Sequence, residues 1–284
     1  MQLNKIGIIF ICGATLFAQD IIEDEIHHQH ILKSKVKLDY TYLDFKNSKQ
    51  KDNGNNFSIK GDFEDKKNHL ELFYSYAKTN TKQPPLSDDL KVDKISARYR
   101  YTLNKKNKFN FSYLYVKDNL APTDGGNIYG VGYSYKFTNI TQFVSDYKDF
   151  NVYQTNLKVG FKKENLFGAV VGMYQNISNH TNSFTKNAKD DYYSALVNLH
   201  YHYDNFHTNI GGIFGKRVFS VLDRGLFVQH HSMEFKYSFM IGLGYKYKNI
   251  NTHLKYSYHK AKELPINNDN VKISAYSVSI DYIF

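Results

Sequence analysis

Four stretches of this 284-residue chain carry residue types that could do chemistry. In KISARYRYTL, Lys94 to Leu103, the cations Lys94, Arg98 and Arg100 share one parity with Ser96. Positive groups repeated along one face concentrate the field that an anion-biased conduit needs. Other segments place Lys136, Lys158, Lys236, Lys246 and Lys255 on the equivalent parity, with His200, His202, His253 and His259. Acids of that parity are fewer: Asp39, Asp62, Glu64, Glu71, Glu234 and Asp281. A second stretch, His230-His231-Ser232, sets an imidazole two residues from a hydroxyl. A serine nucleophile needs a base within hydrogen-bond reach and a group that orients the base. No Asn at matching height on the following segment supplies the orienter, so a polar loop edge is the plainer reading. Third, Glu23, Asp24, Glu25, His27, His28 and His30 crowd ligand types suited to a divalent metal, though a solvated tail accounts for them equally. Fourth, Asn179 to Ser183 (NHTNS) reads as turn chemistry.

The elements that must position these residues have a period of two. Lys94–Leu103 alternates Ile95, Ala97, Tyr99, Tyr101 and Leu103 with polar residues, the pattern of a strand with one apolar face. The alternation recurs over 36–42, 57–63, 70–76, 109–115, 129–137, 153–161, 193–203, 235–247, 254–258 and 276–284. Stretches 141–150, 166–178 and 206–219 are further strands of ambiguous face, which makes about 14. The tight joint at Asp149–Asn151 leaves 12 or 16 open. Joints alternate long and short: KNSKQKDNG against DKKN, then TKQPPLSDDL against NKKN, with 220–232 a long external one. All four prolines fall in long joints, as they must if the rest is laddered.

No run beyond the first 18 residues approaches the ~18 apolar residues of a spanning helix. Strands of roughly 9–14 residues nevertheless match the length that crosses a bilayer at a tilt. Their aromatic and aliphatic faces exceed what a single-layer soluble sheet could expose, and an uncrossed meander closes naturally into a barrel. Closure satisfies every backbone group, which lipid demands. The fold expected is therefore all-β, a transmembrane up-and-down antiparallel β-barrel. MQLNKIGIIFICGATLFAQD has a cation, an apolar run and a small residue, the layout of a signal peptide cleaved after Ala18. The organisation expected is signal peptide 1–18, periplasmic tail 19–33 and barrel 34–284. Cys12 is the only cysteine, so the mature chain has no disulfide to lean on. The net charge of +10 invites anionic partners, and export argues against nucleic acid.

The apolar run, the cysteine-free remainder and the closing Tyr276-x-Val278-x-Ile280-x-Tyr282-x-Phe284 resemble the Gram-negative outer-membrane β-barrel proteins. Size and strand number look most like the monomeric 14-stranded porins of the outer membrane protein G type. In that class the terminal aromatic strand is the signal read by the barrel-assembly machinery, and the barrel meets membrane lipid and lipopolysaccharide. The function implied is a channel for passive diffusion of small hydrophilic or anionic solutes, without cofactor or catalysis. Its lining would include Lys94, Arg98, Arg100, Lys136, Lys158, Lys236, Lys246, Lys255, His200 and His202. Charges that merely pair across strands are the bland alternative. A rival function is a non-conducting barrel whose loops bind a partner. Less favoured is a lipid hydrolase, since His230-x-Ser232 is similar to the His-x-Ser pair of outer-membrane phospholipases.

Overall fold

The computed structural model describes residues 33–82, 88–120, 122–178, 185 and 187–284. The proposed signal peptide, the acid- and His-rich tail and all of Asn179–Ser183 lie outside them.

Period two became strand wherever it was clean. Seven strands make the first half of the wall: β1 (Lys33–Lys46), β2 (Lys51–Glu64), β3 (Asn68–Thr81), β4 (Leu90–Thr102), β5 (Asn107–Asp118), β6 (Asn127–Tyr135) and β7 (Thr138–Asp146). The second half is β8 (Asn151–Lys163), β9 (Leu166–Ser178), β10 (Asp191–Tyr203), β11 (Phe206–Arg217), β14 (Met233–Tyr247), β15 (Ile250–Glu263) and β16 (Asn268–Ile283). All pair antiparallel with their neighbours, and β1 with β16 closes a 14-stranded barrel. The last strand meets the first in the expected place, with Val36 opposite Tyr282 and Tyr42 opposite Tyr276.

The two faces obey opposite rules. Ile95 and Tyr99 of β4 point outward, whereas Lys94, Ser96, Arg98 and Arg100 are buried inside. On β16, Tyr276, Ile280 and Tyr282 are exposed outward, as is Phe284 beyond its end, while Ser277, Ser279 and Asp281 are buried. Val278 shares the outward parity, half-buried. Outward aromatics pair near both rims: Phe109 with Tyr133 and Phe206 with Tyr245 toward the short turns, Tyr113 with Tyr129 and Tyr174 with Tyr193 toward the long loops. Such amphipathic rings belong at the two interfaces of a bilayer. At the short end four joints are two-residue turns beginning at Lys136, Glu164, Asp204 and Lys248, each with φ of 50–53°.

One long joint does not stay outside. Residues 218–232, expected as an external loop, fold into the lumen through a two-stranded ribbon, β12 (Val221–Leu222) with β13 (Phe227–Val228), around a 3-10 turn at Asp223–Gly225. The loop leaves β11 and reaches β4, which sits seven places away either way round the barrel, on the opposite wall. Val221 and Val228 pack with Val92, Leu114, Ile128 and Phe143; Leu222 packs with Met173, Leu196 and Ile213. The wall is close enough at Gly225 (φ 102°) that a Cβ there would collide with Ser112 Oγ. The ambiguous joint at 147–150 is short for a related reason. Tyr147 and Phe150 stack on each other and bury against Phe219 of the inward loop.

Candidate channel interior

The interior is built from inward positions of successive strands, and its chemistry changes with height. Toward the long-loop rim apolar inward residues such as Leu90 and Val92 of β4 are mixed with buried polar ones, among them Lys51, Thr79 and Glu263. At mid-height polar side chains hold the backbone of the inward loop. Lys94 Nζ donates to Val228 O (3.1 Å) and Ser96 Oγ to Leu226 O (3.0 Å). From β8, Gln154 Nε2 donates to Val221 O (2.7 Å) while its Oε1 accepts from Val221 N (2.9 Å). From β9, Gln175 Nε2 donates to Val218 O (2.9 Å) and its Oε1 accepts from Ser220 Oγ (3.2 Å). A side-chain amide carries both a donor and an acceptor, so one glutamine replaces a strand partner for the loop.

Below the loop the interior is charged. Glu71 of β3 is a hub: Lys60 lies 2.8 Å from it, Arg224 of the loop 3.6 Å, and Arg98 pairs with its other oxygen. Arg100 pairs with Glu64 (2.8 Å) and His69 with Asp62 (2.6 Å). Among the described residues Asp62, His69 and Glu71 bring ligand atoms within 4.8 Å of one another. A metal cation there would face Lys60, Arg98 and Arg224, so the donor set does not suit one. Across the lumen, imidazoles gather: His200 stacks on His202 (4.3 Å), His207 Nε2 meets His253 Nδ1 at 2.6 Å, and His253 Nε2 faces Asp281 at 3.4 Å.

Of the residues expected on the wall, Lys94, Arg98, Arg100 and His200 are buried on the inner face, and Lys158, Lys255 and His202 are half-buried on it. Three lysines are elsewhere. Lys136 is exposed in the β6–β7 turn over the ring of Tyr135, because the strand ends one residue before it. Lys236 is the extra residue of a bulge between Phe235 and Tyr237 and pairs with Asp269 at the rim (2.8 Å). A bulge resets parity, which simple alternation cannot register. Lys246 keeps the inward parity but is exposed at the short-turn mouth. His259 accepts or donates at Ser238 Oγ (2.7 Å), which also takes Arg217 Nη2 (2.6 Å). Sequence reading missed Lys60, Gln154, Gln175, His207 and Arg217. Lys60 was legible from parity with Ser58 and Asp62, whereas the glutamines gain meaning only from the loop they hold.

His230 and His231 line an interior cavity, with Ser232 buried beside them; they do not face the lipid side of the wall. Burial holds both imidazoles well below the ordinary histidine range, with Lys94 and Lys51 adding to the effect, so both are neutral.

No family model and no curated relative matches the sequence. Solved structures do resemble the fold. A FadL homologue of Pseudomonas aeruginosa shares 9% identity, with a TM-score of 0.54 over 88% of this chain and 90% of that one. The toluene transporter TbuX of Ralstonia pickettii shares 11% identity, with a TM-score of 0.54 over 90% of each chain. The outer membrane protein Omp33 of Acinetobacter baumannii shares 8% identity, with a TM-score of 0.50 over 89% and 98%. At such identities the likeness shows the fold: this chain has the closed all-β barrel of outer-membrane proteins.

Proposed function

We propose that the chain is an outer-membrane channel of a Gram-negative bacterium, of the outer membrane protein G kind, that passes small hydrophilic solutes by passive diffusion with a mild preference for anions. The observation that carries this reading is the charged interior. Among the described residues the buried cations Lys37, Lys51, Lys60, Lys94, Arg98, Arg100 and Arg217 outnumber the buried carboxylates Asp39, Glu71, Glu234, Glu263 and Asp281. Charges are not placed inside a protein unless water or partners meet them, and a 14-stranded wall is wide enough to hold both. A cationic surplus lowers the energy of an anion in transit. Loop 218–232 is the constriction, so conductance is small. The strand Tyr276–Phe284 serves as the signal for barrel assembly, and the outward belt meets lipid and lipopolysaccharide.

Planar-bilayer recording of the refolded chain in a potassium chloride gradient tests this. Small discrete steps with a reversal potential on the chloride side are expected. Absence of any conductance, in the intact chain and in one lacking the inward loop, would refute the channel in favour of a non-conducting barrel whose loops bind a partner.

A further inference from the structure

Between the inward loop and the wall formed by β1 to β4 and β14 to β16 lies a cavity of about 150 Å³. Phe45, Ala77, Phe227, Phe235, Ile273 and Ala275 give it an apolar lining. Elsewhere, an engineered apolar cavity of about this size stays dry and accepts benzene. This one also carries polar groups: Thr41, Asn56, Thr79 and Ser257 on the wall, and two imidazoles of the loop, His230 and His231, each with an Nε2 that makes no hydrogen bond. The loop turns His230 into it, only 4% exposed, and the Nε2 of that ring makes no hydrogen bond. Native proteins rarely leave a buried polar atom unmatched, because desolvation without a partner is costly.

We propose that this cavity binds a small neutral aromatic alcohol of phenol size, its ring among the apolar side chains and its hydroxyl on His230 Nε2. A hydroxyl both donates and accepts, so it completes the imidazole in either tautomer. An anionic head is disfavoured because the Asp118 carboxylate lies 3.9 Å from the same nitrogen. Lys94 also lines the cavity, but its ammonium is engaged by Val228 O and lies 4.1 Å above the Phe227 ring. A bare hydrocarbon fits the volume and leaves the imidazole unmatched. The site names a solute class for the channel and rests on that reading for its purpose, although binding itself can be measured without transport.

The experiment is equilibrium dialysis of the full chain in lipid nanodiscs against radiolabelled phenol and benzene, with empty nanodiscs as background. Saturable phenol binding is expected, about tenfold tighter than benzene, the worth of one buried hydrogen bond. His230→Phe keeps the bulk, removes the nitrogen and should bring phenol down to the level of benzene. Ala275→Phe and, separately, Ala77→Leu fill the cavity and should abolish binding of both. Equal affinity for phenol and benzene in the unmodified chain overturns the proposal, as does phenol binding that survives both filling variants. Preferential binding of benzoate overturns it too, moving recognition to Lys94. Phenol binding without conductance would refute the channel and leave the site; conductance without phenol binding would do the reverse.

Discussion

Strand β4 shows two interiors within one barrel. Its outward face is polar only at the long-loop end, with Lys91 and Asp93, and is apolar from there down, with Ile95, Ala97, Tyr99 and Tyr101, as a lipid-facing stretch requires. Its inward face runs from Leu90 and Val92, through Lys94 and Ser96 on the loop, to Arg98 and Arg100 among acids. In the long-loop half of the lumen the inward loop is a second layer, against which Val92, Leu114, Met173 and Ile213 bury apolar surface. The short-turn half has no second layer among the described residues and must meet its charges with one another or with water. The barrel interior is therefore not one environment, and substitutions in the two halves should fail differently.

Replacing residues 218–232 with a short Gly-Ser linker attacks that difference most directly. Single-channel conductance should rise several-fold, and unchanged conductance would mean the loop is not the constriction. Next, Glu71→Gln leaves Lys60, Arg98 and Arg224 without their shared carboxylate. Removing one partner of a buried pair costs about 3–5 kcal/mol. The temperature at which the folded band disappears from unboiled gels should fall, and the reversal potential should move further toward chloride. Phe219→Ala, in the cluster with Tyr147 and Phe150, should cost about 3 kcal/mol or somewhat more. That loss belongs to the loop alone, read as faster proteolysis within 218–232 while the heat shift of the barrel changes little.

Acid should act more gently on the same element. His230 and His231 are held neutral while the loop is seated and regain the ordinary value near 6.5 when it leaves. The released state then binds more protons as pH falls through about 6.5, so seating loses stability on acidification. Conductance at about pH 5 should exceed that at about pH 7.5, and phenylalanine at both positions should flatten the profile. The smallest effect is expected from Lys136→Gln with Lys236→Gln. Both lysines lie away from the inner wall, so the reversal potential should stay put, whereas neutralising Lys94, Arg98 and Arg100 together should shift it away from chloride.

Strand positions and faces were legible because alternation is local: Tyr276, Ile280 and Tyr282 against Ser277, Ser279 and Asp281 needs only neighbouring residues. The inner placement of Arg98 and Arg100 followed from the same rule. Alternation misled where a local event broke it, in the turn at Lys136 and the bulge at Lys236. It was silent on 218–232, whose mixture of Val, Leu, Gly and polar residues has no period and suits a solvated loop as well as a buried one.

By itself, then, the sequence was enough for an all-β chain of alternating strands, for the two faces of those whose alternation is clean, and for more cations than acids on the inward parity. Tertiary structure alone decided that Glu71 gathers Lys60, Arg98 and Arg224, because those residues come from three strands and a loop whose register closure sets. It also decided that the loop crosses to the opposite wall, where Gln154, Gln175, Lys94 and Ser96 supply hydrogen bonds that no local pattern announces. Both depend on groups distant in the chain being brought within reach, and period two carries no information about distance across a lumen.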